Sequence, residues 1–167
     1  SDIYRLKTGY TPVCIELDPN LHIRLQSRNL PLVSDIDSIE GKIEGLFTSN
    51  VLEHIEDDQA ILDQIFIKMD RGSKLAIYVP AFMCLFSDLD KSVGHFRRYE
   101  KNELVNKVIK AGFKINKVNY VDSIGFFASL FFVVKAKISK GNNITMSVSP
   151  VAMNFYDRFL FPVSRLL

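Results

Sequence analysis

Val13-Cys14-Ile15-Glu16-Leu17-Asp18-Pro19 reads as a short β-branched strand handing over to a helix. Asp18 supplies an N-cap side chain, and Pro19 falls at the first helical position, where a missing N–H costs nothing. Leu30 to Ser34 gives a second short strand closed by Asp35-Ile36-Asp37-Ser38, and Gly45-Leu46-Phe47-Thr48 a third that ends at Ser49-Asn50. Ile61, Leu62, Ile65, Phe66 and Met69 then recur at helical spacing, with Gly72 placed to end that helix in a left-handed conformation. Lys74 to Val79 is a fourth strand stopped by Pro80. A long non-periodic connection, Ala81 to Tyr99, leads to a helix with Leu104, Val105, Val108 and Ile109 on one side, ended by Gly112. Phe113 to Val121 reads as a fifth strand. This alternation predicts an α/β fold with a mostly parallel sheet flanked by helices on both faces.

The bulk numbers agree with one globular domain over residues 1–167. The 167 residues are 47% hydrophobic and 24% charged, enough apolar material for a sizeable core. A net charge of +2 gives no basic face of the kind that nucleic acid requires, so no nucleic-acid partner is expected. Cys14 and Cys84 each sit in an apolar run and read as buried, reduced thiols, which points to a cytoplasmic setting. The longest uncharged apolar run, Ile124 to Val134, is well short of the roughly 20 residues that span a bilayer. Its Phe126, Phe127, Phe131 and Phe132 suit core packing or a homo-oligomer interface, with an apolar substrate site or lipid docking as the less ordinary uses. Ser139 to Ser149 is polar, and Val151 to Leu167 resembles an amphipathic helix broken at Pro162.

In open parallel sheets, ligands bind beyond the carboxyl ends of the strands. Glu16 occupies such a place, where an acidic side chain accepts from ribose hydroxyls; a solvated strand-end carboxylate is the plain alternative. Asp35 after the second strand has the same ambiguity, since aspartate there also serves as a turn or cap residue.

Taken together, Glu16-Leu17-Asp18-Pro19, Asp35-Ile36, Ser49-Asn50-Val51-Leu52-Glu53-His54-Ile55, Arg71-Gly72-Ser73 and Val79-Pro80-Ala81 resemble, in order and spacing, the class I (Rossmann-like) S-adenosylmethionine-dependent methyltransferases. The resemblance runs from about Asp2 to Tyr120. It includes Asp88, Asp90 and Gly94-His95-Phe96-Arg97-Arg98-Tyr99, similar to the Gly-His-x-Arg-Arg-Tyr segment of one bacterial branch. It implies methyl transfer from S-adenosylmethionine to a small-molecule, sugar or lipid-pathway acceptor by in-line displacement. It also implies Glu16 at the ribose, Asp35 and Ile36 beside the adenine, and Asn50 and Val51 near the methionine part.

For such a reaction the protein mainly positions the partners, an effect that supplies about 7–11 kcal/mol of barrier reduction. Where the nucleophile starts protonated, His54 and His95 are the candidate catalytic bases; for His54, capping or packing at a helix start is the structural alternative. Arg97, Arg98 and Tyr99 form a candidate substrate-binding donor set over a carboxylate or phosphate. Equally, Arg97 or Arg98 can pair with Asp88 or Asp90 and hold the connection shut. Some relatives use two Glu and two His around a metal, but Asn50 stands where the first Glu would be, so no metal is expected.

The chain also departs from the family. Ser1 to Gly9 matches the helix that follows the GxGxG-type loop, and no glycine precedes it, so the first, central strand is expected to be absent; the chain also stops at Ser164-Arg165-Leu166-Leu167, before the family's last strand, so the domain is expected to be incomplete at both ends. That leaves room for two other readings: a noncatalytic or degenerate relative kept as a binding or assembly module, and a nicotinamide-dependent oxidoreductase, which leaves Asn50–His54 and Gly94–Tyr99 unexplained.

Overall fold

The computed structural model describes residues 7–16 and 19–121. The segments Ile124–Val134, Ser139–Ser149 and Val151–Leu167 lie outside the described residues. Among those described, the chain forms two compact units. One takes the residues up to Phe47 with Gln59–Ala76; the other takes Thr48–Asp58 with the residues from Ile77 on.

The architecture is α/β, built from parallel strand pairs joined through helices. β1 (Cys14–Ile15) leads through α1 (Pro19–Gln26) to β2 (Leu32–Val33), and β1 and β2 pair in parallel, Cys14 opposite Leu32 and Ile15 opposite Val33. A parallel pair needs a crossover, and α1 supplies it, lying against β2. Helix α1 starts at Pro19 as the sequence predicts. It closes through Asn29, whose φ of 54° is left-handed, and the Leu30 N–H reaches back to the Leu25 carbonyl at 3.2 Å. Leu30, the residue after the turn, is buried.

β3 (Ile43–Ser49), α2 (Asp58–Lys68) and β4 (Met69–Tyr78) repeat the pattern. β3 and β4 are hydrogen-bonded neighbours. Gly45 lies by the Lys74 carbonyl, and the Asn50 N–H donates to the Tyr78 carbonyl at 2.9 Å, so the two strands advance in the same direction. Leu62, Ile65 and Met69 form the buried stripe of α2 and its exit, at i, i+3 and i+7, whereas Phe66 is left exposed. Lysines satisfy polar groups around the helix end: Lys42 donates to the Ile67 carbonyl at 2.6 Å, and Lys68 to the Asp37 carbonyl at 3.3 Å.

Three expectations change. Helix α2 ends at Lys68, so Gly72 does not cap it; Gly72 lies inside β4 at φ 82°, where Ser73 Oγ donates to the Asp70 carbonyl at 2.6 Å. Because only glycine takes that conformation without strain, Gly72→Ala is expected to cost about 1–2 kcal/mol, measured by urea denaturation; an unchanged midpoint would contradict it. Phe113–Val121 forms no strand among the described residues. Its donors and rings serve α4 (Lys101–Lys110) and its surroundings: the Phe113 N–H closes on the Val108 carbonyl at 3.2 Å, the Lys101 N–H donates to Tyr120 Oη at 3.2 Å, and Tyr120 stacks on Phe82. Finally, Cys84 is exposed and Cys14 half-buried, both as free thiols. The 3₁₀ turn Met83–Leu85 sends Leu85 inward and turns Cys84 out.

The long connection Ala81–Tyr99 is folded. It contains that 3₁₀ turn and the short helix α3 (Asp88–Ser92), and its ends meet in a parallel bridge, Ala81 opposite Tyr99. No helix among the described residues is long and apolar enough to cross a membrane.

Candidate functional site

In the second unit the residues after β3 and the Gly94–Tyr99 segment converge. Asn50 turns the chain out of β3 in a left-handed conformation, φ 51°, which asparagine tolerates better than most residues. Val51 is exposed. One 3₁₀ turn follows, Leu52–His54, with the His54 N–H on the Val51 carbonyl at 3.0 Å; it buries Leu52 and Glu53 and leaves His54 exposed. The Phe96 N–H donates to the Glu53 carbonyl at 2.8 Å and so lays Gly94–Tyr99 along this turn. The His54 and His95 rings meet edge to face, centroids 4.6 Å apart at 80°.

Asp90, buried at the third position of α3, organises this cluster. Its Oδ2 accepts from the Ser87 N–H at 2.9 Å and Oγ at 3.1 Å, closing the helix start. The Arg98 guanidinium grips both oxygens, Nε to Oδ1 at 2.8 Å and Nη2 to Oδ2 at 3.1 Å. His95 Nδ1 lies 2.9 Å from Oδ1. Burial would raise the Asp90 carboxyl, but the hydrogen bonds from Arg98 and His95 outweigh it and hold it below the usual carboxylate range. An ionised Asp90 can only accept, so His95 donates through Nδ1, and a neutral ring then carries its lone pair on Nε2. That nitrogen stands 3.9 Å from Glu53 Oε1.

Glu53 is the residue that sequence reasoning passed over. It is fully buried, and neither side-chain oxygen has a hydrogen-bond partner among the other described residues. Burial pushes its carboxyl above the usual range. The signal was its neighbour, His54: a charged residue next to a candidate catalytic group, in a segment rich in apolar residues. Glu53, His54 and His95 each offer a ligand atom, all within 4.8 Å of one another.

A second buried carboxylate anchors the rest of the segment. Asp58 accepts from Tyr99 Oη at 2.7 Å and from Lys107 Nζ at 2.7 and 2.9 Å, and Arg97 Nη1 lies 3.0 Å away. Arg97 Nη2 also donates to the Glu56 carbonyl at 2.6 Å. Burial, then the bond to Asp58, raises the Tyr99 phenol far above its usual range, so it stays protonated. The three residues expected to face substrate thus spend donors internally: Arg98 on Asp90, Arg97 on Asp58 and Glu56, Tyr99 on Asp58. Of the two aspartates expected to hold an arginine, Asp90 does so, while the exposed Asp88 pairs with Lys91 at 3.0 Å.

The remaining expected site residues follow the ends of β1 and β2 in the first unit. Glu16 lines an open cleft of about 190 Å³ with Leu21, Arg24, Leu25 and Arg28, and its carbonyl lies 2.7 Å from His22 Nε2. The Asp35 carboxylate accepts from the Ser38 N–H and Oγ, both at 2.8 Å, and from Ser34 Oγ at 3.0 Å. These bonds, the Ser38 side chain first, lower its pKa and make it the turn-forming aspartate that the sequence left open. Ile36 is buried. No family model and no curated protein matches this chain.

Proposed function

We propose that the chain belongs to an S-adenosylmethionine-dependent methyltransferase of the Rossmann-like class, acting on a small-molecule, sugar-pathway or lipid-pathway acceptor. The observation that supports this reading most is the closure of Gly94–Tyr99 onto Asn50–His54. Two segments that the resemblance assigns to one site, some forty residues apart in sequence, make contact at the carboxyl end of a parallel strand, where this fold class binds its ligands. The two parallel β-α-β pieces are the repeating unit of such a sheet.

Within the first unit Glu16 borders an open cleft, and within the second Asn50 and Val51 are exposed just past β3, which keeps each available for the role the resemblance gives it. Asp35 and Ile36 are committed to the turn and the core, which leaves their backbone to shape the adenine side. When bound, the cofactor supplies a methyl group already made electrophilic by the sulfonium. On this reading His54 and His95 act on the acceptor, and Asp90 sets which nitrogen His95 presents.

Calorimetric titration with S-adenosylmethionine, on a protein extended upstream of Ser1, tests the reading. Saturable heat is expected, and Glu16→Ala is expected to weaken binding by about 1 kcal/mol or more, since a hydrogen-bonding acceptor is lost. Unchanged affinity would remove Glu16 from the site. Absence of heat from that extended protein would favour a noncatalytic scaffold.

A further inference from the structure

We infer that Glu53, His54 and His95 form a binding site for one divalent transition-metal ion, with positions left open to solvent on the His54 side. The functional use of the ion rests on the methyl-transfer reading; the site itself does not.

Glu53 is fully buried and receives no hydrogen bond from other described residues; its own backbone N–H and the Arg98 charge offset that burial only in part, so a further cation would stabilise the carboxylate. The groups nearest to it are nitrogen donors. Asp90 takes the Nδ1 proton of His95 and thereby turns the lone pair of Nε2 toward Glu53. The 3.9 Å between Nε2 and Oε1 is too long for a hydrogen bond. It is close to the spacing of two ligands on one ion, about 3.3 Å when each bond is about 2.0–2.1 Å. A carboxylate behind a histidine that faces a metal is also the usual way of orienting such a ligand and raising its basicity.

His54 completes a set of two imidazoles and one carboxylate, the donor combination of open catalytic zinc sites and of non-haem iron(II) sites. Its ring packs edge-on against His95 and remains exposed, so the fourth and later positions would open outward, where a hydroxyl-bearing acceptor can approach. A bound ion would ease loss of the acceptor's proton to water, after which the oxygen attacks the methyl carbon and the carbon–sulfur bond breaks with its electron pair on sulfur. Asn50 at the place of a first glutamate then lowers the ligand count to three and does not abolish the site, which revises the expectation of no metal.

The test uses the full chain, freed of metal by chelator and dialysis, titrated with Zn²⁺ in the calorimeter and with Co²⁺ by visible absorption. One equivalent of Zn²⁺ and the d–d bands of a nitrogen- and oxygen-ligated Co²⁺ are expected. His54→Ala, at an exposed position, should weaken Zn²⁺ binding at least tenfold. Glu53→Gln should weaken it similarly while leaving the metal-free protein as stable or more so, because the buried charge is gone. No Zn²⁺ binding at millimolar concentration, or binding that both variants leave unchanged, would overturn the site. In the second case the ion sits elsewhere; in the first, the cluster holds no ion. Zn²⁺ binding without S-adenosylmethionine binding would sink the methyltransferase reading alone, and the reverse result the metal site alone.

Discussion

Asp58→Ala lowers the unfolding free energy by about 3–5 kcal/mol, the range expected when one partner of a buried, hydrogen-bonded ion pair is removed. Asp58 is almost wholly buried and takes bonds from Tyr99 and Lys107, with Arg97 beside it. Without it, a buried phenol and an ammonium lose their acceptor, and α2 loses the acid of its first turn. Burial alone would lift the Asp58 carboxyl, but the bonds from Lys107 and Tyr99 and the charge of Arg97 outweigh burial and hold it low. A depressed folded pKa gives stability that is present above the unfolded value, about 3.9, and is lost as pH falls through the folded one. Asp58→Asn should therefore flatten the acid limb of the stability curve below about pH 4. Urea denaturation across pH 2 to 7 checks both; a variant within about 1 kcal/mol of the parent at pH 7 would show that the cluster is not the anchor described here.

The second large effect is expected at Asp90. Asp90→Ala removes the acceptor of the Arg98 fork, the partner of His95 Nδ1 and the reciprocal half of the Ser87 cap in one change. The loss should again be about 3–5 kcal/mol, most of it the cost of a guanidinium left without its carboxylate. A double-mutant cycle distinguishes this from simple loss of packing: once Asp90 is alanine, Arg98→Ala should cost little more, giving a coupling energy within the range of about 0.5–3 kcal/mol seen for directly bonded pairs. Additive effects would mean that Arg98 and Asp90 stabilise the protein independently, against the geometry.

Local chemistry made much of this protein legible. Pro19 marks the start of α1, the stripe through Leu62, Ile65 and Met69 defines the buried face of α2, and four of the five expected strands lie where periodicity and punctuation put them. Phe113–Val121 differs because alternation shows only that a segment could pair; pairing also needs a free edge, and here the Phe113 N–H and the Tyr120 hydroxyl are used around α4. Gly72 shows the same limit, since a left-handed glycine suits a helix end and a bend within a strand equally well.

At the site, sequence named the groups better than it named their duties. His54 and His95 were visible as titratable residues in two distinct segments, and their contact bears on both. The arginines were ambiguous because a guanidinium fits a carboxylate of the protein as well as one of a substrate. Resolving that required knowing that Asp58, which reads as an ordinary helix-start acid, lies within reach of residues 41 and 49 positions later. Glu53 was hidden for another reason: glutamate is so often exposed that nothing in its spelling announces burial. Only the depth of the 3₁₀ turn makes it chemically unusual.

The second unit joins Thr48–Asp58 to residues from Ile77 onward, across the intervening Gln59–Ala76, and this gives the protein a clock. In synthesis Asp58 precedes Tyr99 by 41 residues and Lys107 by 49, so those hydrogen bonds cannot close until both partners have been made. The Glu53 carbonyl likewise waits for the Phe96 N–H, 43 residues later. Both sets of contacts thus close late in chain order, after β3, α2 and β4 have all been synthesised.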